Sequence, residues 1–150
     1  NTVSMLTEGG ELISFHRREI DFGYRSARYP SRGIIVEAEL VLKKNGAEEL
    51  RQRALETEGR RSSSRHVLPF NAGSIFKNPP GYSAGAFVEE CGLKGSHQGG
   101  AQITHLHGNI IVNRGWATAA DVLKLMERAR EAVLSRLGIE LEEEIRVIGE

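Results

Sequence analysis

The side chains best equipped for chemistry stand at three places far apart in the chain. The stretch Asn71-Ala72-Gly73-Ser74-Ile75-Phe76-Lys77-Asn78-Pro79-Pro80 presents a hydroxyl, an ammonium and an amide within a few positions. Gly73 lets the backbone approach a ligand closely, and Pro79 biases Asn78 toward an extended conformation. Lys77 offers a point charge suited to phosphate, and Asn78 can both donate and accept. Arg25 follows Phe22-Gly23-Tyr24, and Glu144 closes the acidic run Glu142-Glu143-Glu144 just before an apolar stretch. Taken singly, each also has an ordinary use: Ser74 in a turn, Arg25 in a surface ion pair, Glu144 on a solvated acidic edge.

Other chemistries are poorly supported. His105 and His107, two apart on an expected strand, would face one side, but no further ligands accompany them and no metal site is expected. The chain contains no Walker motif, no GxGxxG fingerprint and no GxSxG elbow, and Ser74 has no histidine nearby in sequence to act as its base. Charge is balanced, with 20 basic and 20 acidic residues, which gives no support for a nucleic-acid or membrane-surface protein. Arg60, Arg61 and Arg65 read as a solvated linker. Their alternative use, gripping an oligosaccharide or nucleic acid, would make binding steeply salt-dependent. The single cysteine, Cys91, fits a reducing cytoplasm. No apolar run approaches the roughly 20 residues of a membrane span, and no signal peptide is expected.

The elements that must position these groups follow from pattern. Val3–Leu6 and Glu11–Phe15 flank a glycine turn and predict a β-hairpin. Residues 16–32 read as irregular, and Ile34–Leu42, alternating with Glu37 and Glu39, as a half-buried strand. Residues 46–59 favour helix, stopped by Gly59, with a linker from Arg60. A short helix is expected over Ala84–Glu90, ended by Gly92, and at least one strand within Gln102–Val112. The clearest element is a long helix capped by Thr118 with Asp121, its apolar face formed by Val122, Leu125, Met126, Ala129, Val133 and Leu137, and ended by Gly138. Short strands are expected at Ile139–Leu141 and Ile145–Ile148. Strand pairs and helices without a βαβ rhythm argue for an α+β fold.

Several blocks, in order, resemble one family. They are Tyr24-Arg25; Ala72-Gly73-Ser74-Ile75-Phe76-Lys77-Asn78-Pro79; Ala84-Gly85 leading to Gly92-Leu93-Lys94-Gly95; Gly99-Gly100-Ala101; His107-Gly108-Asn109-Ile110-Ile111-Val112-Asn113; Ala117-Thr118-Ala119-Ala120-Asp121; and Glu144-Ile145-Arg146-Val147-Ile148-Gly149. Together they resemble the C-terminal half of UDP-N-acetylenolpyruvoylglucosamine reductase, most densely from residue 70 onward. The short gap between Arg25 and Ser74 resembles the type II variety, which lacks an inserted loop over the substrate.

The resemblance implies a flavoenzyme of peptidoglycan precursor synthesis, an oxidoreductase of the cytoplasm. It reduces UDP-N-acetylglucosamine enolpyruvate to UDP-N-acetylmuramate, with NADPH reducing bound FAD. It implies that Arg25 and Glu144 polarise the substrate carboxylate, that Ser74 donates a proton, and that Lys77 and Asn78 hold the nucleotide-sugar diphosphate with His107 lining the pocket. It assigns no cofactor-binding residue here. Where the family motif has a serine two positions after the arginine, this chain has Ala27. The family's N-terminal flavin-binding region is largely missing. Residues 1–43 therefore read as a remnant of it, 44–69 as helix and linker, and 70–150 as the substrate-binding domain, a fragment expected to be weak or silent alone. The alternative is a non-catalytic nucleotide-sugar binding module without the flavin domain. Oligomeric state is not legible.

Overall fold

The computed structural model describes residues 1–63 and 69–149, without the side chains of residues 61–63. The chain divides into two compact units, Asn1–Arg51 and Gln52–Glu150. Helices accompany sheets whose pairings are all antiparallel, the α+β class expected. No described helix is long and apolar enough to cross a membrane.

In the first unit, β1 (Thr2–Thr7) and β2 (Leu12–His16) form the expected hairpin, with Val3 opposite Phe15 and Met5 opposite Ile13. Side chains alternate across a strand, so these four share one face. Met5, Phe15 and Ile20 form the unit's small buried cluster, with Val3, Ile13 and Tyr29 packed against it. The stretch read as irregular contains a 3-10 turn, Arg17–Glu19, and a second hairpin, β3 (Asp21–Gly23) with β4 (Ser26–Arg28). Three-residue strands are too short for their periodicity to register. The third strand of the main sheet, β5 (Gly33–Ala38), pairs with β1 at the sheet edge and ends earlier than expected. It is not half-buried: all six of its positions are exposed.

Helix α1 (Ala47–Ser63) continues through Gly59. A helical glycine costs only about 1 kcal/mol, and the good helix formers around it outweigh that. The helical turn therefore takes in Arg60 and Arg61, which the sequence assigned to a linker, while Arg65 lies outside the described residues.

The second unit is built on a four-stranded sheet ordered β6 (Asn71–Ser74), β9 (Ile110–Asn113), β8 (Ala101–Ile103), β7 (His97–Gln98). Two helices join it in one core, α2 (Ala84–Glu90) and α3 (Ala119–Leu137). Leu125, Met126, Ala129 and Val133 of α3 are buried as their spacing requires, with Val122 and Leu137 at the margin. Thr118 and Asp121 close a full capping box, and Gly138 ends the helix at φ 68°, a left-handed conformation suited to glycine. The strands expected at Ile139–Leu141 and Ile145–Ile148 do not form. A single isolated bridge, Phe76 to Glu143, replaces them.

Candidate functional site

The site grows from the bulge that carries Ser74. Asn71 Oδ1 accepts from Gly73 N at 2.7 Å, Gly73 adopts φ 83°, and the register of β6 against β9 shifts between Asn71 and Ser74. Such a bulge re-aims the side chain that follows it. Ile75 and Phe76, each 2% exposed, then anchor the chain in the core. Ser74 and Lys77 stay half-buried, and Asn78 is exposed.

Phe76 is gripped from two edges. On one, Glu144 N donates to Ile75 O at 2.8 Å and Lys77 N donates to Glu142 O at 2.8 Å, flanking the Phe76–Glu143 bridge. The backbone of Glu144 is thus bonded to the residue directly after Ser74. On the other edge the side chain of Asn109 replaces a strand. Its Oδ1 accepts from Phe76 N at 2.8 Å and its Nδ2 donates to Phe76 O at 2.8 Å. The Asn109 carbonyl also accepts from Ile75 N at 3.0 Å. Asn109 is 2% exposed, so full pairing of its amide is what makes its burial tolerable.

The acidic run is not a plain solvated edge. The Lys77 ammonium pairs with the Glu142 carboxylate, and Arg130 Nη1 reaches Glu143 Oε1 at 3.0 Å. Asn78 Oδ1 accepts from Ala84 N at 3.0 Å, binding the segment to the start of α2.

His107 lies in the turn between β8 and β9, not on a strand, so the same-face reading with His105 fails. Thr104 Oγ1 accepts from His107 N at 2.9 Å and donates to His107 O at 3.0 Å. His107 Nδ1 accepts from Asn109 N at 3.1 Å, which leaves the ring proton on Nε2. The turn sits tightly against α2: a Cβ on Gly85 would come 2.8 Å from His107 Cε1, and one on Gly108 would come 2.4 Å from Gly85 O.

In the second unit, hydrogen bonds thus join the segment after Ser74 to Glu142 and Glu144 and to Asn109, and Asn109 N to the His107 ring, while Asn78 is tied to Ala84. Arg25 belongs to the first unit. It occupies the two-residue turn between β3 and β4 at φ 56°, its guanidinium 5.7 Å from the Tyr24 ring centroid. A left-handed arginine costs roughly 1–2 kcal/mol. The two-residue turn that closes this hairpin requires such a conformation. Two concavities of about 570 Å³ each open elsewhere on the second unit, one lined by Phe70, Val112, Asn113 and Arg114, the other by Arg130 and Glu140–Glu143, and neither is lined by Ser74 or Glu144. Among the described residues no cluster of three or more His, Cys, Asp or Glu side chains could hold a metal ion. Asn109 carried no signal of its own in the sequence, because its partner lies 33 residues earlier.

The chain is similar to UDP-N-acetylenolpyruvoylglucosamine reductase of Moorella thermoacetica, 46% identical across 99% of this chain and 49% of that protein. The protein of the same name from Heliobacterium modesticaldum is 43% identical across 99% of this chain and 48% of its own length. The chain thus spans about half the length of the curated relatives it matches. The crystal structure of UDP-N-acetylenolpyruvylglucosamine reductase from Thermus caldophilus matches 97% of this chain and 51% of that one, with a TM-score of 0.82 and 39% identity. A family model for the UDP-N-acetylenolpyruvoylglucosamine reductase C-terminal domain matches residues 65–148. On that match, over a region holding Ser74, Asn109 and Glu144, the chain belongs to the UDP-N-acetylenolpyruvoylglucosamine reductase C-terminal domain family.

Proposed function

We propose that this chain is the substrate-binding part of a reductase that converts UDP-N-acetylglucosamine enolpyruvate to UDP-N-acetylmuramate, a step in peptidoglycan precursor synthesis in the cytoplasm. The reading is supported above all by the 2.8 Å hydrogen bond from Glu144 N to Ile75 O, which ties the glutamate's backbone to the residue next to Ser74.

The described residues suit the substrate end of that reaction better than a flavin cradle. In the first unit, the glycine with open space around it at φ 82°, Gly10, turns a hairpin and does not lead into a helix. FAD, reduced by NADPH, would supply the hydride, with residues 1–43 a remnant of its binding domain and most of its cradle in the portion of the relatives that this chain does not span.

Reduction of the enol ether leaves negative charge spread toward the substrate carboxylate. Arg25 offers a guanidinium for that carboxylate. Glu144 assists only as a protonated or proton-sharing carboxyl, since a bare carboxylate would repel the developing anion. The Ser74 hydroxyl donates the proton to the adjacent carbon, a task a weak acid performs only when held in place against a strongly basic carbanion. The Lys77 ammonium is set beside the diphosphate, where it exchanges part of its Glu142 contact for phosphate. With Asn78 Oδ1 committed to Ala84 N, its amide NH2 is the group for a phosphate oxygen. His107, with its proton on Nε2, offers a donor to the same ligand.

Calorimetric titration with UDP-N-acetylglucosamine enolpyruvate, with and without FAD, tests this. Binding without flavin is expected, together with no NADPH-dependent turnover by this chain alone. A chain that ignores the nucleotide sugar, or that carries stoichiometric flavin and turns over, overturns the reading.

A further inference from the structure

Resting on the function proposed above, we infer that Asn109 is a positioning residue for the reaction, holding the Ser74 and Glu144 segments in register through the backbone of Phe76. The side-chain amide presents a donor and an acceptor at the spacing of a peptide unit, and both engage the N–H and C=O of the same residue at 2.8 Å. The Ile75 O–Glu144 N and Lys77 N–Glu142 O bonds flank that residue on its other edge. Any slip of Phe76 therefore moves Ser74 and Lys77 against Glu142 and Glu144 together. The backbone N–H of Asn109 also fixes the His107 ring through Nδ1. One buried residue, through its side-chain amide and its backbone N–H, thus joins the segment between Ser74 and Lys77 to the histidine turn. An apolar residue of equal size would fill the space, but it would leave the Phe76 N–H and C=O without partners in a place water does not reach. The amide is required for alignment rather than for filling the core.

The test compares Asn109→Leu and Asn109→Asp with Val133→Ala, a buried α3 control in the same unit. All are made in this chain and read below their melting temperatures. Asn109→Leu is expected to weaken binding of UDP-N-acetylglucosamine enolpyruvate about tenfold, and to speed hydrogen exchange at the Glu144 amide about tenfold relative to the α3 amides. Val133→Ala should leave both ratios near wild type. In Asn109→Asp the new carboxyl cannot donate to Phe76 O while ionised, but it can once protonated. Its affinity relative to wild type should therefore recover as pH falls from about 8 to about 5, burial having raised the pKa of the introduced group. A folded Asn109→Leu chain with both quantities within about twofold of wild type, or an Asn109→Asp chain with no such recovery, would overturn the inference. If the parent chain binds no nucleotide sugar, the proposed function fails, and the Glu144 exchange ratio still decides the positioning role.

Discussion

The two units bury their apolar residues in opposite ways. In the second, thirteen of the described residues, drawn from the sheet, α2 and α3 and the segments that follow β6, α2 and α3, close one continuous core. In the first, three residues are buried together, while Ile34, Ile35 and Val36 of β5 remain 70%, 49% and 54% exposed. Leu40, Val41 and Leu42 are more exposed still. Both units obey the same strand and turn rules, so local propensity does not separate them. The difference is layering. The second unit puts two helices on its sheet, whereas the first offers a sheet whose edge strand is bare on both faces. A sheet needs a second layer to gain the hydrophobic stabilisation its sequence is written for.

This contrast gives measurable expectations. The largest is Leu125→Ala, 1% exposed in α3, which should cost about 2–5 kcal/mol by denaturant unfolding of the second unit. A cost under about 1 kcal/mol would mean that the core is not closed as described. Next is Gly108→Ala, whose Cβ would sit 2.4 Å from Gly85 O. It should cost roughly 1–3 kcal/mol and disturb the His107 turn, seen as shifted His107 ring resonances. Thr118→Ala should cost about 1 kcal/mol through loss of the α3 cap.

The same cap predicts a pH effect. The Thr118 backbone N–H, then its hydroxyl, hold the Asp121 carboxyl below its ordinary value of 3.8. Because the folded value is the lower one, the stabilisation is complete above the unfolded pKa and is lost as pH falls from there through the folded pKa. The stability difference between wild type and Asp121→Asn should therefore shrink in acid below pH 3.8. A difference that grows there would contradict the capping geometry. The smallest effect belongs to the first unit: Ile34→Thr, at an exposed β5 position, should change stability by less than about 0.5 kcal/mol. A loss comparable to that of Leu125→Ala would erase the contrast between the units.

The sequence made some features plain and hid others for identifiable reasons. The periodic face of α3, its Thr118 cap and its Gly138 stop are local signals, and all three appear where expected. Ser74 was visible because glycine, lysine and paired prolines mark its surroundings. Gly59 misled, because a helix stop depends on a change of backbone hand at the glycine rather than on its presence. The edges around Phe76 were invisible, since a bridge to Glu143 and an amide from Asn109 join residues distant along the chain.

By itself, then, the sequence determined which residues could do chemistry and which segments would coil or extend, because those preferences act over a few neighbouring residues. The tertiary structure alone decided that the Glu144 backbone bonds to Ile75, next to Ser74, and that the Asn109 amide pairs with Phe76 from the other edge. Those outcomes depend on which distant backbone groups find each other as partners, and nothing local to any one segment specifies that choice.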